Sequence, residues 1–261
     1  MKTVLFDLDD TLMRHDAAIR GASEELFAQV SPGRSQDCNE FVEKWISANA
    51  SWYRKFYNGQ VSFQESGRGK LRESFSEYGC VFSDRTADAL LLEYWERYVG
   101  LCQLFDDVLE CLGKLDGYKI GVITNGQEAQ QINKLKHCGI LSQFDVVVTS
   151  QRAGAAKPSA DIFVYACEQL RESASDCVYI GDNLKLDAIA ATKAGMLGVW
   201  LDREQKTSEI DLYDGHNINT LSEVPALLAK LAACRRTPFS ETVKIPMHLN
   251  SCQELSKRLT T

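Results

Sequence analysis

The chain has 261 residues, 44% of them hydrophobic and 25% charged, with a formal net charge of -7. That composition belongs to a soluble globular protein with a sizeable core, in one large domain or two modest ones. The acidic balance argues against a binder of nucleic-acid polymers, which needs a basic face, and no apolar stretch approaches the roughly 20 residues of a membrane helix.

Met1-Lys2 runs straight into Val4-Leu5-Phe6, an apolar segment short enough to be a buried strand, leaving no room for a signal peptide. Asp7-Leu8-Asp9-Asp10-Thr11-Leu12 follows. The acids are therefore expected where a strand ends and a loop begins, the usual place for ligands in an α/β sheet. In an extended stretch Asp7 and Asp9 point the same way. Like charges that close repel, and a bound cation or a catalytic need is the usual reason to hold them together. The alternative is a solvated turn in which Asp10 or Thr11 caps a helix.

Residues 15–104 lack clear strands and carry large apolar groups at helical spacing, such as Leu90-Leu91-Leu92, Tyr94-Trp95 and Tyr98. They hold 14 of the 24 aromatic residues, more naturally the filling of a small helical bundle than a platform for a nucleobase. From residue 117 strands and helices alternate. Lys119–Ile123 reads as a strand, and Gln127–Cys138 as a helix with apolar Ala129, Ile132 and Leu135, ended by Gly139. Phe144–Thr149 is the next strand, and Ser159 can cap a helix whose stripe is Ile162, Phe163, Ala166, Cys167 and Leu170. Cys177–Ile180 is a strand running into Gly181-Asp182; a helix to Ala194 and a fifth strand, Leu197–Leu201, follow. This alternation implies a parallel sheet covered on both faces. Leu221–Leu231 reads as a last helix capped by Ser222, and the tail 237–261 suggests no role. The nine cysteines are scattered and never in C-x-x-C spacing, as expected of reduced thiols in a cytoplasmic protein.

Three further features fall at or near the carboxyl ends of predicted strands: Thr124-Asn125-Gly126, Lys157-Pro158, and Gly181-Asp182-Asn183 with Asp187. Such ends converge on one crevice, so residues far apart in sequence can meet there. Singly, Thr124 could be a helix cap, Lys157 a solvated lysine and Asp182-Asn183 a turn. Their joint order on one side of the sheet is what chance does not readily supply.

With Asp7-x-Asp9-x-Thr11, Thr124, Lys157 and Gly181-Asp182…Asp187 in this order, the chain resembles the haloacid dehalogenase superfamily over about residues 3–230. The likeness is to phosphatases with a helical cap after the first strand, of the pyrimidine-nucleotidase and acylneuraminate-phosphatase type. The resemblance implies an α/β fold in which residues 1–14 and 105–236 form a Rossmann-like core, 15–104 the cap, and 237–261 an extension. It implies that Asp7 attacks phosphorus to give an aspartyl phosphate, and that Asp9 protonates the leaving oxygen and then activates water. Mg²⁺ would be held by Asp7, Asp182 and the backbone carbonyl of Asp9. Thr124 and Lys157, with Asn125 beside them, would bind the phosphate oxygens. Thr11, Asn183 and Asp187 would support the site from behind, Asp187 by orienting Lys157 or a metal-bound water. Asp9 favours phosphate esters, because the family's dehalogenases lack this second acid. Asn183 stands where many relatives have a small hydroxyl residue. Arg14 and His15 could reach a leaving group or lie on the surface. The expected partner is a small phosphorylated metabolite, a nucleoside monophosphate or else a sugar phosphate or phosphoglycolate. A phosphosugar mutase and a non-catalytic binding protein are further alternatives. A monomer or homodimer is expected.

Overall fold

The computed structural model describes residues 1–205 and 215–236; the tail 237–261 and part of the connection after Leu201 lie outside the described residues. Six strands form one sheet in the order β3-β2-β1-β4-β5-β6: β1 (Thr3–Phe6), β2 (Lys119–Thr124), β3 (Val146–Thr149), β4 (Cys177–Gly181), β5 (Leu197–Leu201) and β6 (His216–Ile218). Every pairing is parallel. β1 and β4 are buried along their whole length, which is why they read as continuous apolar runs rather than alternating ones. With β2 on one side of β1 and β4 on the other, the strand order reverses at the carboxyl end of β1, where an open α/β sheet has its crevice.

The helical segment is α1 (His15–Val30), α2 (Cys38–Tyr57), α3 (Phe63–Phe75) and α4 (Asp84–Leu101). Ser62 opens α3 with a reciprocal capping box to Glu65, and Ser83 opens α4 by accepting the Thr86 N–H. Phe27, Phe41, Phe75 and Tyr78 form an aromatic cluster inside the bundle, with Phe27 and Phe41 stacked at 4.6 Å between centroids. The two crossings between sheet and bundle pair with each other: the Arg14 N–H donates to the Gln103 carbonyl at 2.8 Å, and the Phe105 N–H to that of Leu12 at 3.1 Å. Asp107 clamps this hinge to the end of β5. It accepts from both terminal nitrogens of Arg203 at 2.9 and 3.0 Å, while Arg203 also donates to the Thr11 carbonyl at 2.8 Å.

The remaining helices are α5 (Val108–Gly113), α6 (Glu128–His137), α7 (Ser150–Ala153), α8 (Ala160–Leu170), α9 (Ala190–Lys193) and α10 (Val224–Arg236). A π-helical stretch, Leu184–Ile189, precedes α9. On α8 Ser159 is the cap and the predicted stripe is buried. The expectation for α6 needs correction: Ala129 is exposed, and the helix buries Gln131 and Lys134 beside Leu135. Thr220, not Ser222, provides the capping box before α10, through a 3₁₀ turn at Leu221–Glu223. Strand β6 is unanticipated, because three residues with one buried side chain carry no periodic signal. The seven described cysteines whose side chains are placed are free thiols. No described helix is long and apolar enough to cross a membrane.

Candidate active site

Asp7 is the first residue past β1, and its N–H continues the ladder onto the Ile180 carbonyl of β4 at 2.8 Å. Its carboxylate faces Lys157, which arrives from the loop between α7 and α8. The ammonium donates to Asp7 Oδ1 at 2.5 Å, to Asp187 Oδ1 at 2.6 Å and to the Tyr179 hydroxyl at 3.0 Å. Lys157 is therefore no solvated lysine; all three donors are used inside the protein. Asn125 fixes its backbone from both sides, donating to the Lys157 carbonyl at 3.1 Å and accepting its N–H at 2.8 Å.

Asp182 follows β4. The Thr11 hydroxyl donates to its Oδ1 at 3.1 Å and accepts its N–H at 3.0 Å, so Thr11 ties the two acidic loops together rather than capping a helix. Asp187, 1% exposed, approaches Gly181 so closely that a Cβ there would lie 2.4 Å from the carboxyl carbon. Only glycine fits. Asn183 caps the π-helical stretch with its side chain, accepting from the N–H groups of Lys185 and Leu186, and gives its own N–H to Asp187 Oδ2 at 2.9 Å.

One carboxylate oxygen from each of Asp7, Asp182 and Asp187 falls within a 4.8 Å cluster that could hold a metal ion. Burial pushes the Asp7 carboxyl well above its ordinary value; Lys157 opposes that, and Asp187, Asp182 and Asp9 add to it. Asp182 is pushed up to about 7, by burial first and then by Asp187 and Asp10. Lys157 is held firmly charged, because Asp187 and Asp7 outweigh its desolvation. Three acids against one ammonium leave excess negative charge, which a hard cation would offset. Both oxygens of Asp187 are already engaged, by Lys157 and by the Asn183 N–H. Among the described residues Asp7 and Asp182 each keep an oxygen, Oδ2, without a protein hydrogen bond, so those two best fit such an ion.

Asp9 sits apart from this cluster. Lys134 donates to its Oδ1 at 2.5 Å, Gln131 Nε2 to its Oδ2 at 3.2 Å, and His15 Nδ1 lies 3.4 Å from Oδ1. Burial would raise its carboxyl, but Lys134 and His15 outweigh it and hold the group well below its ordinary value. Gln131 also donates to Thr124 Oγ1 at 2.7 Å, joining the ends of β1 and β2. His15 and Lys134 both reach the Tyr98 hydroxyl, at 2.6 and 3.2 Å, so α1 and α4 close over the sheet here. Arg14 instead pairs with exposed Asp106 and stacks on Phe105.

The crevice thus brings together Asp7, Asp9, Thr11, Thr124, Asn125, Lys157, Asp182, Asn183 and Asp187. Sequence reasoning missed Lys134, Gln131 and Tyr179. A lysine and a glutamine three apart on the face of Leu135, and a tyrosine inside a buried strand, are the signals that were there to use.

The family model for haloacid dehalogenase-like hydrolases matches residues 1–195. The chain belongs to that family. It is 30% identical over 236 residues to a glyceraldehyde 3-phosphate phosphatase of Methanocaldococcus jannaschii, spanning 88% of this chain and 98% of the relative. It is 31% identical over 239 residues to the human N-acylneuraminate-9-phosphatase, spanning 88% and 95%. The pyrimidine 5'-nucleotidase YjjG of Escherichia coli is 26% identical over 87% of this chain and 97% of its own length. Among solved structures, the HAD-hydrolase YfnB of Bacillus subtilis, bound to magnesium, superposes with a TM-score of 0.73 at 24% identity, covering 87% and 98% of the two chains. At that identity the likeness speaks to the fold.

Proposed function

We propose that the chain is a Mg²⁺-dependent phosphomonoesterase acting on a small phosphorylated metabolite through an aspartyl phosphate at Asp7. The observation that carries this reading is the Lys157 ammonium bridging Asp7 and Asp187 beside Asp182, at the switch point of the sheet. A carboxylate nucleophile, a fixed cation for the phosphate oxygens and an all-oxygen donor set are what in-line phosphoryl transfer requires. The three relatives carry leaving groups as different as a triose, a nucleoside and an acylneuraminate, so phosphate is what their substrates share.

In this reading Asp7 and Asp182, with the Asp9 backbone carbonyl, hold the metal, which when bound offsets the phosphate's charge and lets a carboxylate approach it. Asp7 attacks phosphorus, and the ester bond to the leaving oxygen breaks. Lys157 and the Thr124 hydroxyl take the equatorial oxygens, with Asn125 holding the Lys157 backbone. Asp9 gives the leaving alkoxide its proton and takes one back from the water that cleaves the acyl phosphate. A halide would need no such proton, and Asp9, anchored by Gln131 and Lys134, therefore favours ester hydrolysis. Lys134 keeps Asp9 ionised, the form needed for the second step; an arriving phosphate anion supplies the opposing field for the first. Asp187 and Thr11 orient Lys157 and Asp182, and Asn183 starts the helix that carries Asp187.

The test is release of phosphate from p-nitrophenyl phosphate. The reading expects activity with Mg²⁺, loss on chelation, and a fall of about a thousandfold or more in Asp7→Asn. Undiminished turnover in Asp7→Asn would refute it.

A further inference from the structure

We propose that a second cavity, walled by α2, α3 and α4, is the subsite for the leaving group, and that Lys70 and Asn49 select there a flat heterocycle bearing a carbonyl oxygen. The proposal rests on the phosphatase reading for the other end of the substrate.

The cavity holds about 290 Å³ and is lined by Asn49, Trp52, Tyr53, Phe63, Lys70 and Trp95 among others. A neighbouring cavity of about 210 Å³ contains Asp9, His15, Gln131 and Lys134, and the two share Asn49, Tyr53 and Trp95 as walls. In the proposal, a molecule with its ester bond at Asp9 would extend past these three shared side chains toward Lys70.

Lys70 is 3% exposed. No carboxylate pairs with it among the described residues: Asp88, on the same wall, is taken by Arg68 and Gln64, and Glu73 by Trp52. Its one hydrogen bond goes to Asn49 Oδ1 at 3.0 Å, and the rings of Trp45, Tyr94 and Trp95 surround it at 4.3, 4.9 and 5.4 Å from their centroids. Burial pushes its amine down to about 7. Charged or neutral, the amine keeps hydrogens that Asn49 does not use. Asn49 has spent its carbonyl on Lys70, leaving its amide N–H groups. The protonated Lys70 amine and the Asn49 amide thus present hydrogen-bond donors to this end of the cavity, and their match is an acceptor such as a ring carbonyl. The indole and phenyl walls match a flat face. A polyol has no flat face to lay against these rings.

Two glycines in the interior of α3 fit the same picture. Glycine inside a helix is destabilising relative to alanine. A Cβ on Gly69 would lie 2.4 Å from the Trp52 ring, and one on Gly67 3.1 Å from Leu91 Cδ1. Their absence of side chains lets Trp52 and Leu91 lie back against the helix and keeps the cavity open. A lysine buried for packing alone would be replaced at less expense by methionine or leucine.

The probes are uridine 5'-monophosphate and ribose 5-phosphate, which differ by the base. The wild-type kcat/KM should favour the nucleotide at least tenfold, and Lys70→Met and Asn49→Leu should each cut that ratio at least tenfold. An equal rate on both esters, or a ratio the variants leave alone, overturns the proposal. Binding is read separately in Asp7→Asn, where uridine should quench tryptophan fluorescence saturably through Trp52 and Trp95, and ribose should not. The quench should vanish when Lys70→Met is added; its absence from the start overturns the proposal. If uridine quenches but neither these esters nor p-nitrophenyl phosphate is consumed, the subsite stands and the phosphatase reading fails.

Discussion

Lys157→Met is the most informative single perturbation of the site. The side chain is 5% exposed and its ammonium lies 2.5 Å from Asp7 and 2.6 Å from Asp187, themselves 8% and 1% exposed. Methionine keeps the volume and removes the charge, leaving two buried carboxylates facing each other with Asp182 close by. Breaking a buried pair this way costs about 3–5 kcal/mol, because the remaining charge is uncompensated. Part is recovered as the acids take up protons, at about 1.4 kcal/mol per unit of pKa. A net loss of about 3 kcal/mol is a large share of the 5–15 kcal/mol that holds a typical domain, and lowers Tm by roughly 6–12 °C. The assay is urea unfolding at pH 7.5 in chelator, on wild type, Lys157→Met, Asp187→Asn and the double variant. Adding Asp187→Asn to Lys157→Met removes one of the stranded charges, so the double variant should be more stable than Lys157→Met alone. If Lys157→Met unfolds within about 0.5 kcal/mol of wild type, the range of an inconsequential surface substitution, the charge-balance argument is wrong.

Two other consequences follow from close packing and burial. Gly181→Ala places a Cβ 2.4 Å from the Asp187 carboxyl carbon, so it should lose about 1–3 kcal/mol and most phosphatase activity, whereas Gly113→Ala, with nothing within 4 Å, should do neither; equal behaviour of the two by unfolding and turnover would contradict this. The Lys70 amine, pushed down to about 7 when folded, stays protonated to higher pH when unfolded. The unfolded state then binds more protons between these values, so stability relative to Lys70→Met should rise from pH 7 toward 10, by at most about 1.4 kcal/mol per pH unit. A flat difference in parallel denaturant titrations would show that the surrounding rings keep the ammonium charged.

The fold was legible because buried parallel strands announce themselves. Val4-Leu5-Phe6 and Cys177–Ile180 are apolar runs, each closed by a loop whose polar residues could be lined up on one crevice, and Leu197–Leu201 is a further such strand. β6 was not legible, since His216–Ile218 is held by pairing with β5 rather than by a pattern of its own. The residues assigned to the crevice do gather there, but the parts that tune them were hidden. Lys134 and Gln131 fall outside the apolar stripe assigned to α6, because apolar periodicity cannot foresee a helix face that buries polar groups against Asp9. Tyr179 read as one more strand residue, though its hydroxyl donates to the Ile123 carbonyl at 2.9 Å and accepts from Lys157. In the helical segment, density of aromatics alone could not separate Phe27, Phe41 and Phe75, which fill the bundle, from Trp52, Tyr53 and Phe63, which line a cavity.

The most direct measurement is chemical capture of the covalent intermediate. Enzyme turning over p-nitrophenyl phosphate with Mg²⁺ is quenched into sodium borohydride, which reduces an acyl phosphate to an alcohol, and the digest is sequenced by mass spectrometry. Conversion of Asp7 to homoserine, dependent on substrate and on metal, is the expected result. Active enzyme whose amino-terminal peptide keeps an intact aspartate at position 7, with the reduced residue at another carboxylate or nowhere, would contradict the account.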